Sequence, residues 1–252
     1  MARRDSWICC VFAVWLVILV GGCRPAGDAS KAASPPTANP SASVSAKPAD
    51  SDDPTALGEN ITKLNNEGSE LFSQGQWEKA REKYAQALAL NPDDENSHYN
   101  LGATLAKLGR KEDAIKHYRE ALRLFPDFAE VQNNLGNILA SQGKYAEAVE
   151  MIQASIKNNP SSSSAYNSLG TALGLSGRIT EAIPHFARAV ELSPDYVEAH
   201  VNLGNAYYTQ GRLEEALEKF GRALTLQPHY GPAISGMNRT RQKLSAQGSP
   251  RN

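Results

Sequence analysis

The chain has 252 residues, with 26 Lys and Arg against 27 Asp and Glu, so its formal net charge is −1. A balance this close to zero gives no long-range attraction to nucleic acid, and we expect no nucleic-acid partner. The three cysteines, Cys9, Cys10 and Cys23, all lie near the N-terminus. The rest of the chain therefore has neither a disulfide nor a thiolate metal site.

The N-terminus predicts a leader segment. A basic start precedes an apolar run from Trp7 to Val20, which suits a signal-peptide core and is shorter than the roughly 20 residues of a membrane span. The next residues, Val20-Gly21-Gly22-Cys23, resemble the lipobox of bacterial lipoproteins. That resemblance implies a signal peptide over residues 1–22, cleaved before Cys23, whose thiol then carries the lipid. An ordinary signal peptide or an uncleaved anchor is the alternative.

Residues 23–53 are rich in Ala, Ser, Pro and Asp, and contain almost no large apolar side chain. Such a segment buries too little apolar surface to offset the entropy lost on ordering, so we expect a disordered tether. Together with a lipid on Cys23, the tether would hold the following domain near a membrane. The expected location is the bacterial cell envelope, facing the periplasm or the exterior.

Five segments of equal length then align without insertions: 61–94, 95–128, 129–162, 163–196 and 197–230. In every segment the eighth and fifteenth residues are Gly, the twentieth is Ala and the thirty-second is Pro. The twenty-fourth is large and apolar in each: Tyr84, Tyr118, Ile152, Phe186 and Phe220. A fixed period of this size indicates stacked structural repeats.

The recurring residues predict two antiparallel helices in each segment. The fifteenth-position Gly suits the left-handed conformation that ends a helix, and the Pro ends the second helix. Small residues at positions eight and twenty let the helices approach closely, with the large residue at position twenty-four beside them. In the fourth segment, Pro184 lies inside the second helix and predicts a kink or a loosened first turn.

This pattern resembles the tetratricopeptide repeat. The resemblance implies an all-α fold, a right-handed superhelical solenoid of helix-turn-helix repeats, over residues 54–230. Residues 231–246 are expected to form a capping helix and residues 247–252 a loose tail. In the cap, we expect three apolar residues to cover the last repeat and three cations to face water: Ile234, Met237 and Leu244, and Arg239, Arg241 and Lys243 respectively.

The first helices carry polar residues on the face opposite their apolar stripe, and most of these residues are Asn. Asn is a mediocre helix former, so solubility alone does not explain the choice. The repeats resemble the asparagine-ladder type of the O-linked N-acetylglucosamine transferase, which implies that the amides hold a peptide backbone. The expected peptide-binding residues are Asn65, Asn66, Tyr99, Asn100, Asn133, Asn134, Asn137, Asn167, Asn202, Asn205 and Tyr208.

Two points limit that interpretation. Asn at the sixth position of a repeat is also explained as support for the neighbouring helix or loop. The carboxylate clamp of chaperone-binding repeats needs Lys or Arg on the first helices, and the corresponding positions hold residues such as Asn65, Asn100 and Glu130. Capture of a chaperone tail is therefore not expected.

No sequence pattern indicates catalysis. His98 and His200 occupy the fourth position of their repeats, His117 and His185 the twenty-third, and we interpret each as a core or surface residue. We expect no enzyme, no cofactor and no metal. The sequence favours a membrane-anchored scaffold that binds an extended peptide or partner protein during envelope assembly. A substrate-delivery subunit for a separate transferase or hydrolase, and a self-associating solenoid, are the alternatives.

Overall fold

The computed structural model describes residues 54–248. The predicted signal peptide, the lipidation site at Cys23, the tether and residues 249–252 lie outside the described residues. The described part forms eleven α-helices and no strand, which confirms the all-helical architecture. The helices are α1 Pro54–Ser73, α2 Trp77–Leu90, α3 Glu95–Lys107, α4 Lys111–Leu124, α5 Ala129–Ser141, α6 Tyr145–Asn158, α7 Ser163–Leu175, α8 Ile179–Leu192, α9 Val197–Thr209, α10 Leu213–Leu226 and α11 Gly231–Gly248.

The described residues fall into two compact units, 54–126 and 127–248. The first unit contains the hairpins α1–α2 and α3–α4, with α2 packed on α3. The second contains the hairpins α5–α6, α7–α8 and α9–α10, followed by α11, which packs on α10. Within the second unit the first helices α5, α7 and α9 also contact one another in sequence, and α9 contacts α11.

Each hairpin is closed by a glycine against a large side chain. A Cβ on Gly102 would lie 2.8 Å from Cδ1 of Tyr118, and one on Gly136 would lie 2.5 Å from Cγ1 of Ile152. These distances are too short for a real Cβ, so the helices reach this separation only with Gly at the eighth position. The large residue at position twenty-four is at most 2% exposed in all five hairpins, and the predicted close approach is confirmed.

The turn inside each hairpin depends on the fifteenth-position Gly. All five have positive φ, as for Gly143 at 79°. The next residue closes the turn, because Lys144 donates its backbone N–H to the Leu139 carbonyl at 3.0 Å. This six-to-one bond is the pattern that ends a helix on a left-handed residue, as the sequence predicts.

Pro184 does not interrupt α8, which runs continuously from Ile179 to Leu192. The first turn differs from those of the other second helices. Both Glu181 and Ala182 donate their backbone N–H to the Arg178 carbonyl, each at 3.1 Å. The extra bond tightens the turn just before the proline, which has no N–H of its own to donate.

The capping helix α11 is longer than predicted. Met237 packs against the core of the last repeat as predicted, but most of the contact is made by other residues of the helix. It covers the last repeat with small residues, since Ala233 and Thr240 are fully buried and a Cβ on Gly236 would lie 2.4 Å from Cε1 of Phe220. The prediction for Ile234 is wrong, because its side chain is 39% exposed. The bulky Phe220 ring fills the space beside the helix, so only small residues fit against it. Among residues 54–248, none of the helices has the length and apolar character needed to cross a bilayer.

Candidate functional site

The predicted binding residues all lie on first helices, but their surroundings differ. Asn66 and Asn137 are exposed, whereas three other asparagines are buried: Asn133, Asn202 and Asn205. The remaining members of the set are partly buried: Asn65, Tyr99, Asn100, Asn134, Asn167 and Tyr208. The hydrogen bonds of these side chains separate them into groups with different roles.

The fifth-position asparagine of the first repeat joins two repeats. Asn65 donates from Nδ2 to Oδ2 of Asp94 at 3.2 Å, and its Oδ1 accepts from the Ser97 hydroxyl at 3.0 Å. Asp94 also caps α3, because the same Oδ2 accepts from the backbone N–H of Ser97 at 2.8 Å. Asn65 therefore holds α1 to the N-terminus of α3.

The fifth-position asparagine of the fourth repeat has an equivalent role. Asn167 donates from Nδ2 to the hydroxyl of Tyr196, the residue before α9, at 3.4 Å. Its Oδ1 accepts from Nδ2 of Asn202 at 3.0 Å, and Asn202 is only 8% exposed. Burial raises the pKa of Tyr196, so this phenol remains a neutral hydrogen-bonding group.

These bonds give Asn65, Asn167 and Asn202 a structural role between consecutive repeats. The sequence alone associates such support with the sixth position. In the structure, the sixth-position Asn202 does bond to the preceding repeat, and the fifth-position Asn65 and Asn167 each reach the following repeat. Amides engaged in this way have less hydrogen-bonding capacity left for a ligand.

Four other asparagines of the predicted set, all exposed or partly buried, make no side-chain hydrogen bond within the described residues. Asn66 and Asn100 belong to the unit 54–126, and Asn134 and Asn137 to the unit 127–248. Each amide offers one oxygen acceptor and two N–H donors. Asn134 and Asn137 are three residues apart on α5, so their side chains are neighbours on one helix surface. The described part of the chain leaves the donors and acceptors of these four amides unused.

Asn133 lies beside them and is the fifth-position residue of the third repeat. Its side chain is 9% exposed, and its Oδ1 is buried without a donor among the residues described. In the equivalent Asn65 and Asn167, Oδ1 accepts a hydrogen bond from the following repeat. An unpaired buried acceptor costs about 1–3 kcal/mol, so a donor supplied here stabilises more than one supplied at an exposed amide.

Asn205 and Tyr208 contact the capping helix. Arg239 donates from Nη2 to Oδ1 of Asn205 at 3.1 Å, and its guanidinium lies 5.0 Å from the centroid of the Tyr208 ring. Nζ of Lys243 lies 4.7 Å from the same ring. The prediction that Arg239 and Lys243 simply face water is wrong, because the fit of α11 on small residues turns both cations towards α9.

Two histidines that the sequence separates are paired in the second repeat. Nδ1 of His98 lies 2.9 Å from Nδ1 of His117, and Nε2 of His98 lies 2.9 Å from the Pro92 carbonyl. A carbonyl only accepts, so His98 donates from Nε2 and, when neutral, accepts at Nδ1 from His117. Burial, then the neighbouring His98, lowers the pKa of His117. Within residues 54–248, no group of three or more potential metal ligands forms around this pair or elsewhere.

The residues at positions four and twenty-three of one repeat lie in contact, and the sequence analysis did not predict this pairing. The fourth repeat repeats the arrangement, because Tyr166 stacks on His185 with ring centroids 6.3 Å apart. In the fifth repeat, His200 at position four lies near Lys219 at position twenty-three, and Nε2 of His200 is 3.0 Å from the Pro194 carbonyl. The fixed register therefore predicts this contact once one example is known.

Comparison with solved structures places the fold among known repeat proteins. PilF of Pseudomonas aeruginosa superposes with a TM-score of 0.69 at 18% identity, covering 76% of this chain and 87% of that one. YrrB, a TPR protein with an unusual peptide-binding site, gives 0.57 at 24% identity over 73% and 96%. MamA from Desulfovibrio magneticus RS-1 gives 0.60 at 22% identity over 69% and 99%. At these identities the likeness shows the fold.

Family models give the assignment. A TPR repeat model matches residues 68–109, and a tetratricopeptide repeat model matches 104–163, 133–196 and 168–230. Neither model is that of an enzyme family, and no curated protein sequence matches the chain. The tetratricopeptide repeat model alone spans residues 104–230, which is half of the chain. The chain therefore belongs to the tetratricopeptide repeat family.

Proposed function

We propose that this protein is a non-catalytic scaffold whose first helices bind an extended segment of a partner protein. The observation that carries the proposal is that each unit holds two accessible asparagine amides without intramolecular partners: Asn66 and Asn100 in the first, Asn134 and Asn137 in the second. A peptide group has one N–H and one C=O, and a single amide side chain can satisfy both. Recognition of this kind depends on the backbone of the bound segment and only weakly on its side chains.

The expected affinity for the bound segment is modest. Each new hydrogen bond contributes a net of about 0.5–1.5 kcal/mol, because the bonds to water are given up. Several engaged amides therefore support dissociation constants in roughly the micromolar range, after the entropy of ordering the peptide is subtracted. YrrB, which shares the fold, is described as having a peptide-binding site, and this supports the same use of the repeats here.

Site-specific photo-crosslinking in cells tests the proposal. A photoreactive residue at position 137, on α5, should form an adduct with the partner. The same residue at position 153 should form none, because Gln153 is exposed on α6, the second helix of that repeat. The double substitution Asn134→Ala and Asn137→Ala should abolish capture without changing the unfolding temperature. Equal adducts from both positions, or undiminished capture by the double variant, would contradict the proposal.

The identity of the crosslinked partner also distinguishes the two candidate functions, an assembly scaffold and a substrate-delivery subunit. A structural component of an envelope complex would favour an assembly scaffold. A transferase or hydrolase would favour a substrate-delivery subunit, with catalysis on the partner.

We also propose that the scaffold is anchored to a membrane of the bacterial envelope through a lipid on Cys23. Support comes from the sequence Val20-Gly21-Gly22-Cys23 after an apolar run of signal-peptide length. Metabolic labelling with an alkynyl fatty acid should mark the wild-type chain and the Cys9→Ala control, but not Cys23→Ala. Equal labelling of Cys23→Ala would overturn the lipid assignment and leave the binding proposal unaffected.

A further inference from the structure

The capping helix carries positive charge that nothing in the described part of the chain neutralises. Residues 231–248 include Arg239, Arg241 and Lys243 and no Asp or Glu. Within residues 54–248, none of these three cations forms an ion pair. By contrast, Arg188 on α8 and Arg212 before α10 each pair with a Glu three residues further along. The charge on α11 is therefore available to an external anion.

Two of these cations are held in place by the last repeat. Arg239 donates from Nη2 to Oδ1 of Asn205 at 3.1 Å, and Asn205 is 6% exposed. The Tyr208 ring contacts both cations, with Arg239 at 5.0 Å and Lys243 at 4.7 Å from its centroid. A long cationic side chain normally loses much rotamer entropy when it binds a ligand. Here the amide and the ring restrict both side chains beforehand, which lowers that cost.

The guanidinium of Arg239 is also incompletely paired. Its Nε is buried and has no acceptor among the described residues, and its one bond to the protein uses only one of five N–H donors. Leaving a buried charged donor without an acceptor is unfavourable, so an incoming acceptor relieves an existing cost. A carboxylate matches this need best, since its two oxygens accept bidentate hydrogen bonds from a guanidinium.

We propose that Arg239 and Lys243, positioned by Asn205 and Tyr208, form a carboxylate-binding site for an acidic segment of the partner peptide. The carboxylate is that of an acidic side chain or of the peptide's C-terminus. This inference deepens the proposed function and rests on it. The cations lie on α11, outside the five repeats, whose first helices lack the cations of the chaperone-binding clamp at the corresponding positions. The site adds selectivity for charge to amides that recognise any backbone.

Binding of three labelled peptides to the full-length protein in mild detergent, measured by fluorescence anisotropy, tests the site. The first is a Ser/Gly peptide with internal Glu residues and an amidated C-terminus. The second replaces Glu by Gln, and the third is the Gln peptide with a free carboxylate. We expect the first, the third or both to bind about tenfold more tightly than the second, and which of them does identifies the source of the carboxylate. The preference should decrease as salt increases.

Variants assign the preference to named residues. Arg239→Gln and Lys243→Gln should each reduce the preference for the charged peptides several-fold, and the double variant should abolish it. Arg241→Gln is the matched control, because it removes the same charge from an exposed position on the same helix and should keep the preference. If Arg241→Gln lowers binding as much as Arg239→Gln, the effect comes from net charge and the site is wrong.

The outcomes also distinguish this site from the proposed function. Equal binding of all three peptides by the wild type would overturn the carboxylate site but not the proposed binding of the peptide backbone by asparagine amides. A charge preference that survives Asn134→Ala with Asn137→Ala, but not Arg239→Gln, would support the site whatever the amides do. Binding of none of the peptides would overturn both.

Discussion

Replacing Asn167 by Ala should weaken the connection between the fourth and fifth repeats. The change removes the Oδ1 that accepts from Nδ2 of Asn202 at 3.0 Å, and the Nδ2 that donates to the Tyr196 hydroxyl at 3.4 Å. The first loss dominates, because Asn202 is only 8% exposed and its donor would lose this partner. A buried donor left unsatisfied costs about 1–3 kcal/mol, and the longer bond adds little. We expect a total loss of about 2 kcal/mol.

Urea unfolding followed by circular dichroism measures this loss. The stability of a repeat array is approximately a sum of repeat stabilities and nearest-neighbour interfaces, so a weakened interface should also make unfolding less cooperative. Asn134→Ala is the control, because its amide has no intramolecular bond, and it should change the free energy of unfolding by less than about 0.5 kcal/mol. Equal effects of Asn167→Ala and Asn134→Ala would refute the division of the asparagines into two groups.

The double variant Asn167→Ala with Asn202→Ala sharpens the test. Removing Asn202 as well eliminates the donor that the single change leaves without its acceptor. If the cost arises from that donor, the double variant should be less destabilised than the sum of the two single variants. Additive effects would show that the two side chains act independently.

Three further predictions concern the hairpins. Phe186 is fully buried, so Phe186→Ala should cost about 3–5 kcal/mol in urea unfolding. Gly170→Ala should cost about 1–3 kcal/mol, because the added Cβ would lie 2.7 Å from the Phe186 ring. Gly58→Ala is the control: its Cβ would meet nothing within 4 Å, so the change should stabilise α1 by up to about 1 kcal/mol. Burial and His98 lower the pKa of His117 below its ordinary 6.5. The unfolded chain therefore binds a proton more readily, so the free energy of unfolding should decrease as the pH drops from 6.5 through the pKa of His117 in the folded protein. In urea unfolding at several pH values, His117→Gln should make this decrease smaller.

The hairpins were predictable because their contacts are local and recur in a fixed register. The same pair of positions, eight and twenty-four, is small and large in all five segments. A single Gly opposite a single aromatic residue would have been ambiguous. Five Gly–large pairs at one spacing do not arise by chance. Their physical basis is the close packing of the two helices, which at Gly136 leaves no room for a Cβ beside Ile152.

The division among the asparagines was not predictable in the same way. Positions five and six are adjacent in sequence and about 100° apart around the helix. Which of them reaches the next repeat depends on the rotation and shift between neighbouring hairpins. The sequence does not encode that geometry in any single residue, so Asn65 and Asn66 look alike until their hydrogen bonds are known.

The face of the capping helix was missed for another reason. Apolar side chains suggest that Ile234, Met237 and Leu244 cover the last repeat. Met237 does pack against the core of that repeat, but the buried residues of α11 are the small ones. Continuing the register of the repeats into residue 231 gives the correct result. Ala233, Gly236 and Thr240 then occupy positions three, six and ten, and the same positions of α9 are buried: Ala199, Asn202 and Ala206. Helix α11 thus packs as the first helix of a sixth repeat.

That register links the two proposals. Position nine is Asn137 on α5, Thr171 on α7, Asn205 on α9 and Arg239 on α11. The last two side chains are hydrogen-bonded to each other, so position nine of one first helix meets position nine of the next. In this unit the series begins with neutral polar groups and ends with a cation. Among the described residues, the charged member is the last of the series. A partner whose acidic residue lies at one end of its bound segment would therefore bind in one direction only.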